Sequence, residues 1–298
     1  MTSFHQAKNY TMETVHEQRT YHETSSPYPL PNDATEHERL DLQNAAIDTA
    51  MHDKPIHSPL ASPKKILDVG CGTGFMIKHF AQTYPSVESI IGVDLSPAVG
   101  DVPDNVTLIK GDFHALVEQN HPDLQPETFD LVFSRALAYG MTDWPGHIHK
   151  AIFLLKPGGY LETHELDFDL FDQDRIPMSP SLSWHSAYIN AFAARGADLH
   201  AGRKVEHLMQ KAGLVDVRVE KCRLLFGPWD GHSEYDVMAA YAPKYLPDAV
   251  GVAFEKMAAG LHNAEKVEGV KEAIFEDLGH PMKWLHFPLY VVWGRRKC

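Results

Sequence analysis

Residues 66–74 read ILDVGCGTG, and no other stretch limits the possible folds as strongly. A short apolar run, a buried strand by its length and content, ends in glycines at alternate positions, Gly70, Gly72 and Gly74. TGFMIKHFAQTY then continues at helical spacing. Strand, glycine turn and helix form the arrangement by which open α/β sheets offer their backbone to a ligand. Glycine tolerates positive φ and lets that ligand press on the main chain. The spacing departs from the dinucleotide fingerprint G-x-G-x-x-G, whose third glycine would fall at Phe75. Asp68, two places before the first glycine, would repel a pyrophosphate. It suits a ligand with an ammonium group or hydroxyls and no phosphate.

The same alternation continues downstream. SIIGVDL, NVTLIKGD, TFDLVFSR, GYLETHELDF, LVDVRVEKCRLL and KWLHFPLYVVWGR read as further strands, separated by helical stretches. The predicted fold is α/β: a doubly wound, seven-stranded, mostly parallel sheet with helical insertions forming a lid. The insertions fall at about 170–200 and 230–280, the second with Val250, Phe254, Met257 and Leu261 on one stripe. Residues 1–25 are polar and aperiodic and read as a mobile arm. Residues 26–62 read as an extended and helical lid segment with Asn32 or Asp33 as helix cap, and 63–298 as the ligand-binding domain.

Two more acids end strands. Asp94 closes IIGVD, 20 residues after Gly74, where a carboxylate accepts from both hydroxyls of a ribose. Asp112 closes IKGD; it suits an adenine amino group, with Phe113 on the ring, and equally suits a helix N-cap. Three strand-end acids together fit an adenosine with a positive, phosphate-free tail. S-adenosylmethionine is such a ligand.

In order and spacing, ILDVGCGTG, IIGVDLSP, NVTLIKGD, FDLVFSRAL and LLKPGGYLETHE resemble the motifs of Rossmann-like S-adenosylmethionine-dependent methyltransferases. YPLPNDATEHERLDLQ, SRALAYGMTDWPGHI and AGLVDVRVEKCRLLFGPW look like the fungal LaeA-like group attached to secondary metabolism. The resemblance implies that Asp68, Gly70, Gly72 and Gly74 hold the methionine part, Asp94 and Leu95 the ribose and adenine edge, and Asp112 and Phe113 the adenine. It places Ser134 and Arg135 at the mouth near the sulfonium, and Tyr28 and Arg39 in a lid over the cofactor. The group's tryptophan soon after the glycines is missing from GFMIKHF, which points to a different acceptor side.

Methyl transfer from a sulfonium is an in-line displacement, and a base is needed only when the acceptor carries a proton. His164, at the end of the fifth strand, is the predicted base, and a merely hydrogen-bonded strand-end histidine is the plainer alternative. Tyr139, Trp144, His147 and Trp184 are the predicted substrate-pocket residues, with core packing an equal explanation for the aromatic ones. His147 and His149 are closely spaced histidines, and a helix would set them on different faces, so no metal site is expected.

The net charge is −13, from 40 acids against 27 bases, so nucleic acid is not an expected partner. The compact basic cluster Arg295-Arg296-Lys297 reads as a solvated tail. No apolar run approaches the ~18 residues of a membrane helix. Three scattered cysteines suit a reducing compartment, and the expected place is the cytoplasm. The predicted function is methylation, at oxygen or nitrogen, of a small-molecule and secondary-metabolite acceptor. The alternatives are a nuclear regulator acting through protein partners and a cofactor-binding enzyme that transfers no methyl group. The inserted helices and the N-terminal arm are compatible with a homodimer.

Overall fold

A computed structural model describes residues 19–98, 100–280 and 285–298. The predicted arm lies outside the described residues over 1–18. Its remainder lies against the domain: Thr20 O accepts from Asn32 N at 2.8 Å, Arg19 pairs with Asp33, and Lys256 Nζ sits 3.6 Å above the Tyr21 ring. Asp33 then caps α1 (Ala34–Ala50) by accepting from Glu36 N at 3.0 Å.

The seven predicted strands form one sheet: β1 (Lys65–Val69), β2 (Ser89–Asp94), β3 (Val106–Lys110), β4 (Phe129–Arg135), β5 (Leu155–Leu166), β6 (Val215–Leu225) and β7 (His286–Arg295), in the order β3-β2-β1-β4-β5-β7-β6. The first five run parallel, and β7 inserts antiparallel between β5 and β6. Strands β1, β2 and β4 are near-continuous apolar runs, as strands covered on both faces require. The covering helices are α2 (Phe75–Thr83), α3 (Phe113–Glu118), α4 (Trp144–Leu154) and α6 (Gly202–Lys211).

The insertions are α5 (His185–Ala193), α7 (Asp236–Ala258) and α8 (Ala264–Leu278). The expected stripe on α7 is buried at Val250, Phe254 and Met257, but Leu261 lies past the helix end and is exposed. Helix α7 packs on α1, α5 and α8. Two segments far apart in sequence thus meet above the carboxyl ends of the parallel strands.

Candidate functional site

A cavity of about 260 Å³ opens where the strand order turns back between β1 and β4, the position at which open α/β sheets hold their ligands. Asp68, Gly70, Gly72, Asp94, Leu95, Asp112 and Phe113 line it, joined by Tyr28, Arg39, Arg135 and Tyr139. The rest of the wall is mostly apolar: Phe168, Leu224, Met238, Leu246, Val250 and Phe287, with Tyr241 and Glu165 as polar exceptions.

The turn needs its glycines for two reasons. At Gly70, φ is +75° and a Cβ would lie 2.3 Å from Leu137 Cδ2. At Gly72, φ is +49°, and its N–H donates to Asp94 Oδ2 at 2.9 Å. Asp94 Oδ1 accepts from Ser96 N at 2.8 Å. Asp94 therefore clamps the turn to the end of β2 and keeps lone pairs for a ligand. Asp112 serves both readings: it caps α3 through Ala115 N at 2.9 Å and lines the cavity.

Asp68 is the informative residue. It is 3% exposed, and among the described residues neither carboxylate oxygen accepts a hydrogen bond. Burial pushes its carboxyl up to about 7, against the pull of the nearby Arg135 guanidinium. A buried carboxylate left without a donor fits the ammonium end predicted for the ligand.

Sheet register sorts the strand-end residues by face, and side-chain cover then decides which of them reach the cavity. Asp68 pairs with Phe133, and Arg135 with His164, so Asp68, Arg135 and His164 share one face. Ser134 pairs with Thr163 on the other face. Ser134 is fully buried, bonds Thr163 Oγ1 at 3.2 Å and is not in the cavity wall, which corrects its predicted place at the mouth.

His164 is corrected as well. It is fully buried behind Arg135, contributes nothing to the cavity wall and cannot meet an acceptor. Its Nδ1 accepts from Arg135 Nε at 3.3 Å, and its Nε2 bonds Glu162 Oε1 at 2.8 Å. Burial holds the imidazole well below its usual range. Glu162 in turn accepts from His57 N at 2.8 Å and Ser58 N at 2.7 Å. His57, Glu162 and His164 approach closely enough to share a cation. These hydrogen bonds already occupy both Glu162 oxygens and both His164 nitrogens.

Of the four predicted pocket residues, only Tyr139 lines the cavity, its hydroxyl bonded to that of Tyr188 on α5. Trp144 and His147 lie in the first turn of α4 and outside the cavity wall: His147 packs on Phe113, ring centroids 5.4 Å apart, and Trp144 on His147 at 5.7 Å. Trp184 is buried and donates to Asp277 Oδ2 at 2.9 Å, tying α5 to α8. His149 is exposed on α4 while His147 is buried, as helical spacing requires.

Both ring nitrogens of His147 are buried without a hydrogen-bond partner among the described residues, and burial lowers its pKa to about 3. The unfolded chain therefore binds the extra proton first, and this residue costs stability as pH falls from 6.5 toward 3. His147→Leu is expected to leave stability at pH 8 within about 1 kcal/mol of wild type and to exceed wild type increasingly below pH 6, read by urea titration. Equal losses at both pH values would refute this.

Sequence reasoning preferred His164 to its neighbour Glu165 and, while placing Arg39 in the lid, did not foresee how Arg39 is held. Glu165 lines the cavity, accepts from Leu137 N at 2.8 Å and Ala138 N at 3.2 Å, and is pushed up to about 8 by burial. In the roof, Arg39 forks onto Glu36 at 2.6–3.1 Å and donates to Tyr241 at 2.6 Å, bridging α1 to α7 across 202 positions. The Glu-x-x-Arg spacing on a predicted helix was the one available signal for that cluster.

A family described as "Methyltransferase domain" matches residues 46–219. "Methyltransferase pytC" of Aspergillus terreus is 29% identical over 73% of this chain and 66% of its own length. "Secondary metabolism regulator laeA" of Monascus pilosus is 31% identical over 68% of this chain and 55% of its own. The chain thus spans just under two thirds of the first relative and about half of the second. Among solved structures, Haemonchus contortus phosphoethanolamine N-methyltransferase 2, in complex with S-adenosyl-L-methionine, aligns with TM-score 0.50 and 17% identity over 86% of this chain and 52% of that one. That likeness is one of fold.

Proposed function

We propose that this chain, which belongs to the methyltransferase-domain family, binds S-adenosylmethionine in the cavity and methylates a small, largely apolar acceptor at oxygen or nitrogen. The observation that carries this reading is Asp68: a buried carboxylate without a donor, at a glycine turn, beside two further strand-end acids. An ammonium group would meet Asp68, ribose hydroxyls would meet Asp94, and an adenine would lie between Leu95 and Phe113 near Asp112.

When bound, the cofactor supplies an electrophilic methyl group that is already activated. The protein's task is alignment and exclusion of water. Phe168, Leu224, Met238, Val250 and Phe287 supply the apolar wall, and α1 and α7 close over it. With His164 outside the cavity, Glu165 is the wall group that can take a proton an acceptor releases, in its ionised form, which its carboxyl, raised to about 8, reaches as pH rises. The relatives' names support an acceptor from secondary metabolism.

The kinship to laeA favours a second reading, a nuclear regulator that acts through protein partners. The mostly apolar cavity wall favours the first reading. Among the described residues no helix is long and apolar enough to cross a membrane.

Titration calorimetry with S-adenosylmethionine and S-adenosylhomocysteine is the test. Micromolar binding of both supports the cofactor site and justifies a screen of hydroxyl- and amine-bearing metabolites for methyl uptake. No binding of either removes the proposal.

A further inference from the structure

The charged groups of the cavity wall divide by the use already made of them. Asp68, Asp94 and Asp112 stand at or just past the ends of β1, β2 and β3, where the cofactor reading spends all three. Both arginines of the wall are ion-paired within the protein: Arg39 with Glu36 at 2.6 Å and Arg135 with Asp48 at 2.9 Å. Glu165 is left over. It is fully buried in the wall, and among the described residues no ion pair reaches it.

Glu165 is held in one place. Its Oε1 accepts from Leu137 N at 2.8 Å and its Oε2 from Ala138 N at 3.2 Å, and each oxygen keeps a lone pair. Those N–H groups belong to the turn after β4, where Ala136 takes a φ of +57° and donates its own N–H to His164 O at 2.9 Å. Left-handed backbone at a residue other than glycine stores strain, and such strain gathers at sites that hold ligands. The same turn packs on the glycines, since Leu137 Cδ2 fills the space that a Cβ on Gly70 would need. Glu165 is thus tied to the glycine turn through residues 136–138.

Beyond Glu165 the wall is aromatic. Phe168 touches Tyr139 and Phe287, with ring centroids 5.2 Å apart in both pairs. The Tyr139 hydroxyl is bonded to that of Tyr188, so its ring is what remains for a ligand. A flat ring packs well on such a wall. An anionic acceptor would meet Glu165 and no unpaired cation to offset it. An aliphatic amine, with a pKa of about 10.4, arrives as an ammonium whose nitrogen has no lone pair. A phenol, with a pKa of about 10, arrives neutral and can yield its proton to a carboxylate as it attacks.

We infer that the acceptor is a neutral phenol or enol, whose flat face lies on the Tyr139, Phe168 and Phe287 wall and whose hydroxyl proton passes to Glu165. This inference rests on the proposed function and narrows its acceptor from oxygen or nitrogen to an acidic hydroxyl. The acceptor oxygen forms a bond to the methyl carbon. The carbon–sulfur bond breaks, and its electron pair stays on sulfur. The hydroxyl proton goes to a lone pair of Glu165. One sulfonium cation and one carboxylate thereby give way to an ether, a thioether and a carboxylic acid, all neutral, a change that an apolar wall favours. Burial, which raises the Glu165 carboxyl to about 8, suits it to hold that proton.

The test uses three probes built on one ring system and substituted at the same position: naphthol, naphthoate and naphthylmethylamine. The full chain is saturated with S-adenosylhomocysteine and titrated with each by calorimetry. Naphthol is expected to bind at least about 10-fold more tightly than either charged probe. With labelled S-adenosylmethionine, naphthol alone is expected to gain a methyl group. Glu165→Gln is expected to keep naphthol binding within about threefold and to slow transfer by about 10²–10³-fold. Binding of a charged probe as tightly as naphthol, or transfer to it as fast, overturns the inference in the wild type, so a Glu165→Gln protein that fails to fold does not shelter it. A folded Glu165→Gln protein that methylates naphthol at full speed overturns it too, as does transfer to none of the three. In each of those cases the binding of S-adenosylhomocysteine keeps the cofactor reading standing. If S-adenosylhomocysteine itself does not bind, the cofactor reading fails and the inference falls with it.

Discussion

Asp68→Asn is expected to weaken S-adenosylmethionine binding by about 2–3 kcal/mol, roughly 30- to 150-fold, while making the cofactor-free protein more stable above pH 7. The two effects have one cause. Burial raises the Asp68 carboxyl to about 7 in the free cavity. The folded chain therefore keeps a proton that the unfolded chain has already lost between about pH 4 and 7. Over that window this residue's contribution to stability declines as pH rises, and asparagine removes the decline. At pH 8 the variant should melt higher, by about 2–4 °C for each kcal/mol recovered. Binding runs the other way. An ammonium group beside Asp68 favours the ionised carboxylate, so wild-type affinity should grow as pH rises through about 7, with proton release measurable in buffers of different ionisation enthalpy. The variant should lose that slope. A variant that melts higher but binds as tightly as wild type would remove Asp68 from the site.

Glu162→Ala is expected to be the most destabilising single change in the domain, at about 3–5 kcal/mol in urea unfolding. It would leave His57 N, Ser58 N and His164 Nε2 buried without their acceptor. Burial alone would raise the Glu162 carboxyl, but the hydrogen bonds from His164, His57 and Ser58 outweigh it and hold it well below the carboxylate range. A depressed acid contributes stability that is present above its unfolded value of about 4.5 and is lost as pH falls below it. The gap between wild type and Glu162→Ala should therefore be widest at neutral pH and narrow below pH 5. A gap that is constant across pH would show that packing, not the charge, is what the residue contributes.

Legibility in the sequence followed locality. The glycine turn, its three acids and all seven strands are written in contiguous stretches whose spacing has a physical meaning. Residues whose role depends on which face of the sheet they occupy are not. His164 and Glu165 are neighbours in sequence, yet one sits behind Arg135 and the other in the cavity wall. Period-two alternation puts them on opposite faces, yet it is His164 that shares the face of Asp68 and Arg135; the Arg135 side chain covers it, and Glu165, one place further along β5, reaches the wall instead. Ser134 and Arg135 were both expected at the mouth, and only Arg135 lines it. Trp144, His147 and Trp184 were drawn toward the cavity by their residue type, but each is spent on packing helices together. The Arg39–Tyr241 bridge joins residues 202 positions apart, and no local pattern could announce it.

The place of β7 has a consequence during synthesis. It is the central antiparallel strand of the sheet's second half, yet it is made last among the seven, 61 residues after β6 ends at Leu225 and His286 begins it. At about 5–20 residues per second the ribosome needs roughly 3–12 s to cover that gap. Throughout that interval β5 and β6 each present an open hydrogen-bonding edge with no partner between them. Newly made chains should pass through a window of several seconds in which they are prone to pair with one another, and slower translation over residues 226–285 should lengthen that window and lower the soluble yield.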